Sequence, residues 1–343
     1  MGQESHLPGP RLLNRLYISR LGQRTERRPD QKEIEKVDGV TIIVCCYNSE
    51  QRIERTIRHL LGQQIRSVPG WEIVLVDNKS TDRTVELVRA IWSREAEPPP
   101  LRVVHEERPG LSHARKAGVQ AASHSCIVFC DDDNWLDADY VETAYQIMSR
   151  DPQIGVLGGA ITPVGDAPFP PWFLTNCACF AVGAQGRVSG DISARGYVWG
   201  AGAVVRRDLL LTLYETCGGG LLVGREGSKQ GSGDDSEISK WYLLAGRKLY
   251  YSEQLILSHY MPASRVRKEV LERLLNEGAS ATSYLNLYDA ILMVLEPARF
   301  ASVSVPRRLL TLARGARGLL SMTRADFRRF RRLIRCCRQA RLA

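Results

Sequence analysis

The sequence predicts a doubly wound α/β fold: a mostly parallel sheet flanked by helices, followed by a basic helical extension. Three observations predict it. Short, continuous apolar runs rich in β-branched residues recur along the chain, as suits strands buried on both faces. Segments with apolar residues at helical spacing separate these runs, and that alternation implies βαβ units. Two of the runs end abruptly in acids, Asp77 and Asp131, at the edge where such sheets meet their ligands.

Taken in order, residues 1–38 are polar and Arg-rich and lack the apolar stretch of a signal peptide. They are expected to form a partly disordered arm with one short amphipathic helix near residues 11–21. Val40-Thr-Ile-Ile-Val-Cys-Cys46 is the first strand, and residues 50–61 follow as a helix with Ile53, Ile57, Leu60 and Leu61 on one face. Trp71-Glu-Ile-Val-Leu-Val76 is the second strand, followed by a helix over 81–92 that aligns Val85, Val88, Ile91 and Trp92. Residues 101–104 form a short strand and 111–122 a helix of small residues. Cys126-Ile-Val-Phe-Cys130 then runs straight into Asp131-Asp132-Asp133. Beyond Ile154-Gly-Val-Leu-Gly-Gly159 the pattern is less regular. Residues 163–171 are rich in Pro and Gly, and 218–233 are Gly-rich and expected to form a mobile loop. Residues 235–244 read as a helix, 249–257 as a strand returning to His259, and 266–287 as an amphipathic helix. The predicted organisation is an arm over 1–38, an α/β domain over 39–265 and a helical Arg-rich extension over 266–343.

Composition agrees with a globular body: 44% of the 343 residues are hydrophobic and 25% charged. The net charge of +9 is unevenly placed. From Arg299 onward there are 13 Arg and no Lys against one acid, Asp326, so the body is slightly acidic and the tail strongly basic. Such a tail suits an anionic partner. The nine Cys are odd in number and form no CxxC pair. Cys45, Cys126 and Cys130 lie in apolar runs and read as buried thiols, which fits a reducing cytosol. No apolar run reaches the roughly 18 residues of a membrane-spanning helix.

The chemistry concentrates at strand ends. Three consecutive acids, Asp131, Asp132 and Asp133, repel one another unless a divalent cation neutralises them. Hard carboxylate oxygens suit Mg²⁺ or Mn²⁺, with a diphosphate completing the shell. The other reading is a solvated acidic turn that caps the next helix. Asp77 ends the second strand and can meet a base or ribose at the switch point of the sheet. Tyr47, Asn48 and Glu50 leave the first strand at the same edge. Tyr47 can pack on a base and Glu50 can meet a sugar hydroxyl, or Asn48 and Glu50 serve turn and cap.

Four segments together resemble the motifs of family 2 glycosyltransferases with the GT-A fold. They are Val44-Cys45-Cys46-Tyr47-Asn48-Ser49-Glu50, Val76-Asp77-Asn78-Lys79-Ser80-Thr81-Asp82-Arg83-Thr84, Gly110-Leu-Ser-His-Ala114-Arg115-Lys116-Ala-Gly118 and Phe129-Cys-Asp131-Asp132-Asp133-Asn134. The resemblance implies that Asp77 contacts the nucleobase. It places Asp131, with Asp132 beside it, on the ribose and phosphate side, Arg115 near the donor and Asp133 on the metal. It also implies a donor half over 39–160 and an acceptor half over 161–265. The sequence departs from the family at Cys45 (usually Pro), Lys79 (usually Gly), Lys116 (usually Asn) and Asn134, where a third acid often stands.

Gly233-Asp234-Asp235-Ser236-Glu237-Ile238 resembles the acidic pair that the family places at a helix start. By that resemblance Asp235 is the general base and Asp234 lies on the acceptor side. The other reading is that these acids only favour a helix N-terminus. Ser258-His259-Tyr260-Met-Pro262 resembles the segment with the family's late His, which can complete the metal shell. Trp199, in Tyr197-Val-Trp199-Gly200-Ala-Gly202, stands where the family places its acceptor-side loop and can stack on a sugar face.

The function implied is an inverting transfer of sugar from a nucleoside-diphosphate donor, most commonly a UDP-sugar, to a sugar or lipid-linked acceptor in polysaccharide or glycolipid assembly. Leu309, Leu310, Leu312, Leu319, Leu320, Phe327, Phe330, Leu333 and Ile334 interleave with the Arg of the tail. That pattern suits either an anionic membrane surface or packing on the body. The expected location is cytoplasmic, peripheral to the inner membrane face. Two other classes share part of this pattern. A sugar nucleotidyltransferase would carry a Gly-rich phosphate loop where Tyr47-Asn-Ser-Glu50 stands. A non-enzymatic nucleic-acid binder would leave the strand-end acids unexplained, so no nucleic-acid partner is expected.

Overall fold

The computed structural model describes residues 37–222, 224, 233–301 and 303–342. The arm lies almost wholly outside the described residues, as does most of the 218–233 connection. The strands are β1 (Val40–Cys46), β2 (Trp71–Asp77), β3 (Leu101–His105), β4 (Cys126–Asp131), β5 (Asn134–Leu136), β6 (Ile154–Gly165), β7 (Gly190–Asp191), β8 (Val204–Arg206) and β9 (Lys248–Met261). The α-helices are α1 (Ile53–Leu61), α2 (Thr84–Trp92), α3 (Leu111–Ala121), α4 (Tyr140–Arg150), α5 (Pro171–Thr175), α6 (Arg207–Cys217), α7 (Asp234–Leu244), α8 (Lys268–Leu295), α9 (Val305–Ser321) and α10 (Arg324–Leu342).

The strand order is β3-β2-β1-β4-β8-β6-β9-β5, with β7 beside β9. β1 pairs in parallel with β2 and β4, and β2 with β3. β8 runs antiparallel between β4 and β6, after which β6 and β9 resume the first direction. Six of the nine strands therefore point the same way, in agreement with the predicted mostly parallel sheet. The short strands β5, β7 and β8 supply the antiparallel pairs. Winding reverses between β1 and β4, since β1 leads to β2 on one side while β4 is reached from β3. Opposite Cys46 stands Asp77 and opposite Cys45 stands Asp131, so both acids sit at one edge beside the switch point.

Each face of the sheet buries its own core. Ile42, Val44, Ile73, Leu75 and Val128 join Ile57 and Leu60 of α1, Val88 of α2 and Met148 of α4. Ile43, Cys45, Val74, Val76 and Phe129 join Ala114 of α3, Leu210 of α6 and Trp241 of α7. Alternate side chains of β1 thus serve opposite cores, which explains why its sequence is continuously apolar. Gly118 brings α3 close to the sheet: a Cβ there would lie 2.4 Å from Ile43 Cγ2.

The structure extends two expectations. The strand expected over 249–257 runs from Lys248 through His259 to Met261, because it pairs with β6 and β5 along its length. The helix expected over 266–287 continues to Leu295 as α8, with Leu287, Tyr288 and Leu292 in the second core. Of the two readings of the Arg-rich tail, α10 meets packing on the body. Phe330, Leu333, Ile334 and Cys337 are buried in that same core, and the Phe330 ring sits edge-on to Tyr288 at 5.0 Å. α9 instead lies on α8, where a Cβ on Gly315 would come within 2.6 Å of Ala290 Cβ and one on Gly318 within 2.5 Å of the Ser283 carbonyl oxygen. Among the described residues no helix is long and apolar enough to cross a membrane.

Candidate functional site

The loops after β1, β2 and β4 face the start of α7 across a cleft of about 510 Å³. Asp131, Asp132 and Asp133 reach it from β4, and Asp234 and Asp235 from α7. Tyr47, Arg115, Trp199 and His259 complete the predicted residues that line it.

The turn after β4 is built by Asn134. Its Oδ1 accepts the Asp131 N–H at 3.2 Å, and its Nδ2 donates to Asp133 Oδ1 at 3.0 Å. Asn134 also stands opposite His259 in the β5–β9 pairing. That register delivers the His259 ring, Nε2 lying 3.4 Å from Asp133 Oδ1. His259 is 2% exposed, and neither of its ring nitrogens has a hydrogen-bond partner. Two orphaned nitrogens beside a carboxylate, in a buried place, fit a cation ligand better than a packed histidine. Arg265 Nη1 donates to the other Asp133 oxygen at 2.7 Å. Among the described residues no three His, Cys, Asp or Glu side chains form a closed metal shell. Asp133 and His259 would offer a Mg²⁺ or Mn²⁺ ion two ligands, the remaining positions falling to diphosphate and water.

Asp132 turns to the protein. Arg52 Nε and Nη2 hold it at 2.9 and 2.6 Å, and Ser49 Oγ donates to it. Burial pushes its carboxyl up and the Arg52 hydrogen bonds oppose this, while the charge of Asp133 adds to the rise.

Arg115 lies deeper than a helix surface would allow, at 4% exposed. Its Nη1 donates to Asp234 Oδ2 at 2.6 Å, Nη2 is 3.9 Å from Asp131 Oδ1, and the guanidinium stacks 5.3 Å from the Phe129 ring centre. It therefore joins the strand-end acids to the start of α7. Asp235 Oδ2 accepts the Gly200 N–H at 2.9 Å, and Oδ1 accepts the Ser236 N–H at 2.6 Å. Burial is the largest influence on this carboxyl and raises it, Asp234 adds to the rise, and Arg115 opposes both. Gly200 is required by closeness, since a Cβ there would meet Arg115 Nη2 at 2.6 Å. Trp199 donates its backbone N–H to Gln185 Oε1 at 2.9 Å, and its ring stacks under Arg195, whose guanidinium is 4.4 Å from the ring centre.

Three predicted residues fall outside the cleft lining. Asp77 accepts the Ser80 N–H at 3.0 Å and meets His105 Nδ1 at 3.1 Å. Asn48, at φ 48°, accepts the Thr81 N–H at 2.8 Å, and its own N–H donates to Ser80 Oγ at 3.0 Å. Glu50 accepts from Arg83 Nη2 at 2.6 Å and Nε at 2.9 Å. These contacts tie the β1 and β2 loops together and shape the rim. Lys79, where a glycine is usual, has φ 65°, so the backbone keeps the left-handed turn that glycine would supply.

Three residues contribute without having been expected. Asn78 fastens the β2 loop to α3: its Nδ2 donates to the Glu106 and Arg108 carbonyls at 3.0 and 2.7 Å, and its Oδ1 accepts the Gly110 N–H at 2.7 Å. Arg52 and Arg265 hold two of the three strand-end acids. Their partners lie 80 and 132 positions away, beyond any local signal. Glu237, anticipated only as a helix-start acid, is buried. It accepts the Leu221 and Leu222 N–H groups at 2.9 and 2.8 Å and the Tyr288 hydroxyl at 2.6 Å. Burial outweighs those bonds and pushes its carboxyl up to about 7.

Residues 41–210 match the family model described as Glycosyl transferase family 2. The chain carries a family 2 glycosyltransferase domain. The chain is 31% identical over 109 residues to the glycosyltransferase GlyA of Streptococcus pneumoniae, a match covering 32% of this chain and 15% of that protein. It is 26% identical over 133 residues to the poly-beta-1,6-N-acetyl-D-glucosamine synthase of Staphylococcus aureus, covering 39% and 31%. The chain thus spans less than a third of the length of these relatives. Its fold is that of the S. aureus TarS fragment 1–349 solved with UDP-GlcNAc: TM-score 0.51 at 16% identity, over 89% of this chain and 90% of that one. The four N-terminal motifs fall inside the glycosyltransferase match, whereas Asp234, Asp235 and His259 lie beyond its end.

Proposed function

We propose that the chain transfers a sugar from a nucleoside-diphosphate donor to an acceptor hydroxyl, inverting the anomeric centre. One observation carries this reading: Asp235 faces the strand-end acids across a single cleft, with Arg115 buried between the two groups. In this mechanism Tyr47 and the Asp77 loop receive the base, and Asp131 the ribose and phosphate side. Asp133 and His259 hold Mg²⁺ or Mn²⁺, which when bound supplies positive charge for the leaving diphosphate. Asp235 takes the proton of the acceptor hydroxyl as it attacks. Burial raises its basicity for that task, and the two backbone donors, which oppose the rise, fix its orientation. Trp199 and Asp234 lie on the acceptor side.

A UDP-sugar is the donor to try first. The family's usual choice favours it, and so does the UDP-GlcNAc complex of TarS. Polysaccharide or glycolipid assembly is the accompanying role, in keeping with the named activity of the S. aureus synthase. The reading carries a cytoplasmic location.

The test is a thermal-shift screen of nucleotide sugars with and without Mn²⁺, followed by transfer assays. A UDP-sugar is expected to stabilise the protein in a Mn²⁺-dependent way that Asp133→Ala abolishes. Asp235→Asn is expected to keep that stabilisation and lose transfer by about 10²–10⁴-fold. Wild-type transfer rates in Asp235→Asn would overturn the assignment of the base.

A further inference from the structure

α9 has two dissimilar faces. The inner one is small and closed, with Gly315 and Gly318 buried against α8. The outer one is apolar and open. Val305, Leu309 and Leu320 are 59%, 61% and 76% exposed, and exposed Ala313 and Ala316 fill the same stripe. Arg317 and Leu310 flank it, and Arg314 and Arg307 lie one row further round the helix, all exposed. No acid occurs between Val305 and Ser321. An apolar stripe of this kind in water loses the burial its leucines would gain elsewhere, so it marks a docking surface.

We propose that the outer face of α9 docks on an anionic lipid surface. Charge complementarity selects this occupant. A second copy of the chain would set the same arginines against one another. An acidic protein would answer the arginines, but it would have to offer a matching apolar groove for a stripe about four turns long. A lipid interface offers both features at once: acyl chains for Leu309, Leu320 and Val305, and phosphates for arginines whose stems lie along the apolar surface. Because no described helix can cross a membrane, the helix lies in the interface.

The surface is mechanically close to the site. α8 carries α9 on one side, and on the other it meets α7 through Tyr288–Glu237 and a 2.6 Å Lys240–Asp289 ion pair. Docking by α9 would thus orient the helix whose first turn holds Asp235. If the transferase reading holds, this sets the cleft towards an acceptor carried on lipid. The docking itself does not depend on that reading.

The experiment is co-sedimentation of the full chain with phosphatidylglycerol-containing vesicles and with pure phosphatidylcholine vesicles. Leu309→Ser/Leu320→Ser and Arg314→Gln/Arg317→Gln are the variants, and circular dichroism and melting serve as fold controls. Wild type is expected to sediment with anionic vesicles only. The leucine pair is expected to lose about tenfold or more in partitioning, and the arginine pair about fivefold per charge. Mn²⁺-dependent thermal stabilisation by a donor should be unchanged in both variants, which separates docking from catalysis. Absence of wild-type binding, equal binding to neutral vesicles, or variants that sediment like wild type would each overturn the proposal. So would a dimer in light scattering that the leucine pair abolishes while no vesicle binding is seen.

Discussion

Arg115 sits at the centre of a buried charge cluster, between Asp131 and Asp234 and against Phe129. Removing the guanidinium leaves both acids without their counter-ion, and because they open on the cleft (Asp131 30% and Asp234 14% exposed) the cost is about 3 kcal/mol, the low end for breaking a buried pair. Arg115→Met is therefore expected to lower the denaturant midpoint by a corresponding amount, and an unchanged midpoint would refute the bridging role. Glu237 gives a pH signature. Its carboxyl is raised from 4.5 to about 7 in the folded state, so the folded state holds a proton that the unfolded chain releases. Stability from this group is present below about 4.5 and is lost as pH rises towards about 7. Glu237→Gln should flatten that slope in melts recorded across the window. The strand-end acids were legible in the sequence because carboxylates in series have few structural uses, whereas Arg115, Asp235 and His259 were named through the family resemblance. Arg52 and Arg265 were not legible, since an arginine pairs with whatever the fold brings near it.

Helix approach sets the position of the site more finely than strand order does. Gly118 lets α3 lie on β1, and α3 carries Arg115. Gly118→Val would overpack a closed contact and cost about 1–3 kcal/mol. It should also weaken donor binding, because α3 must shift. A variant with unchanged melting temperature would contradict this. β1, β2 and β4 were legible as continuous apolar runs because both of their faces are buried. β5 and β8 were not: each has three residues, too few for any period, and tertiary pairing alone defines them. β9 was half legible: beyond 249–257 the run Ser258-His259-Tyr260 has no apolar signal and is held in the strand by pairing with β5 and β6.

For the whole molecule, the basic extension divides between two tasks. α10 covers the second core with Phe330, Leu333, Ile334 and Cys337, each worth about 1.5–3 kcal/mol of burial for a side chain of that size. Ending the chain before Arg324 is expected to give an aggregating or strongly destabilised protein, observed as loss of a cooperative melt. A stable, monomeric product would show that α10 is dispensable. Charge and composition disclosed the extension as basic and amphipathic. They did not disclose that its last helix is part of the core, because a stripe for lipid and a stripe for protein have the same period.

The 2.6 Å contact between Arg115 and Asp234 has an implication for recombination among these proteins. Arg115 lies inside the family-matching residues 41–210 and its hydrogen-bonded counter-ion outside them. A chimera that joined this donor half to a foreign acceptor half would leave the buried guanidinium with only the 3.9 Å contact to Asp131, unless the incoming partner placed an acid where Asp234 stands. Crossovers at that seam are thus filtered by folding before catalysis is ever tried, and the two halves must be exchanged as a matched set.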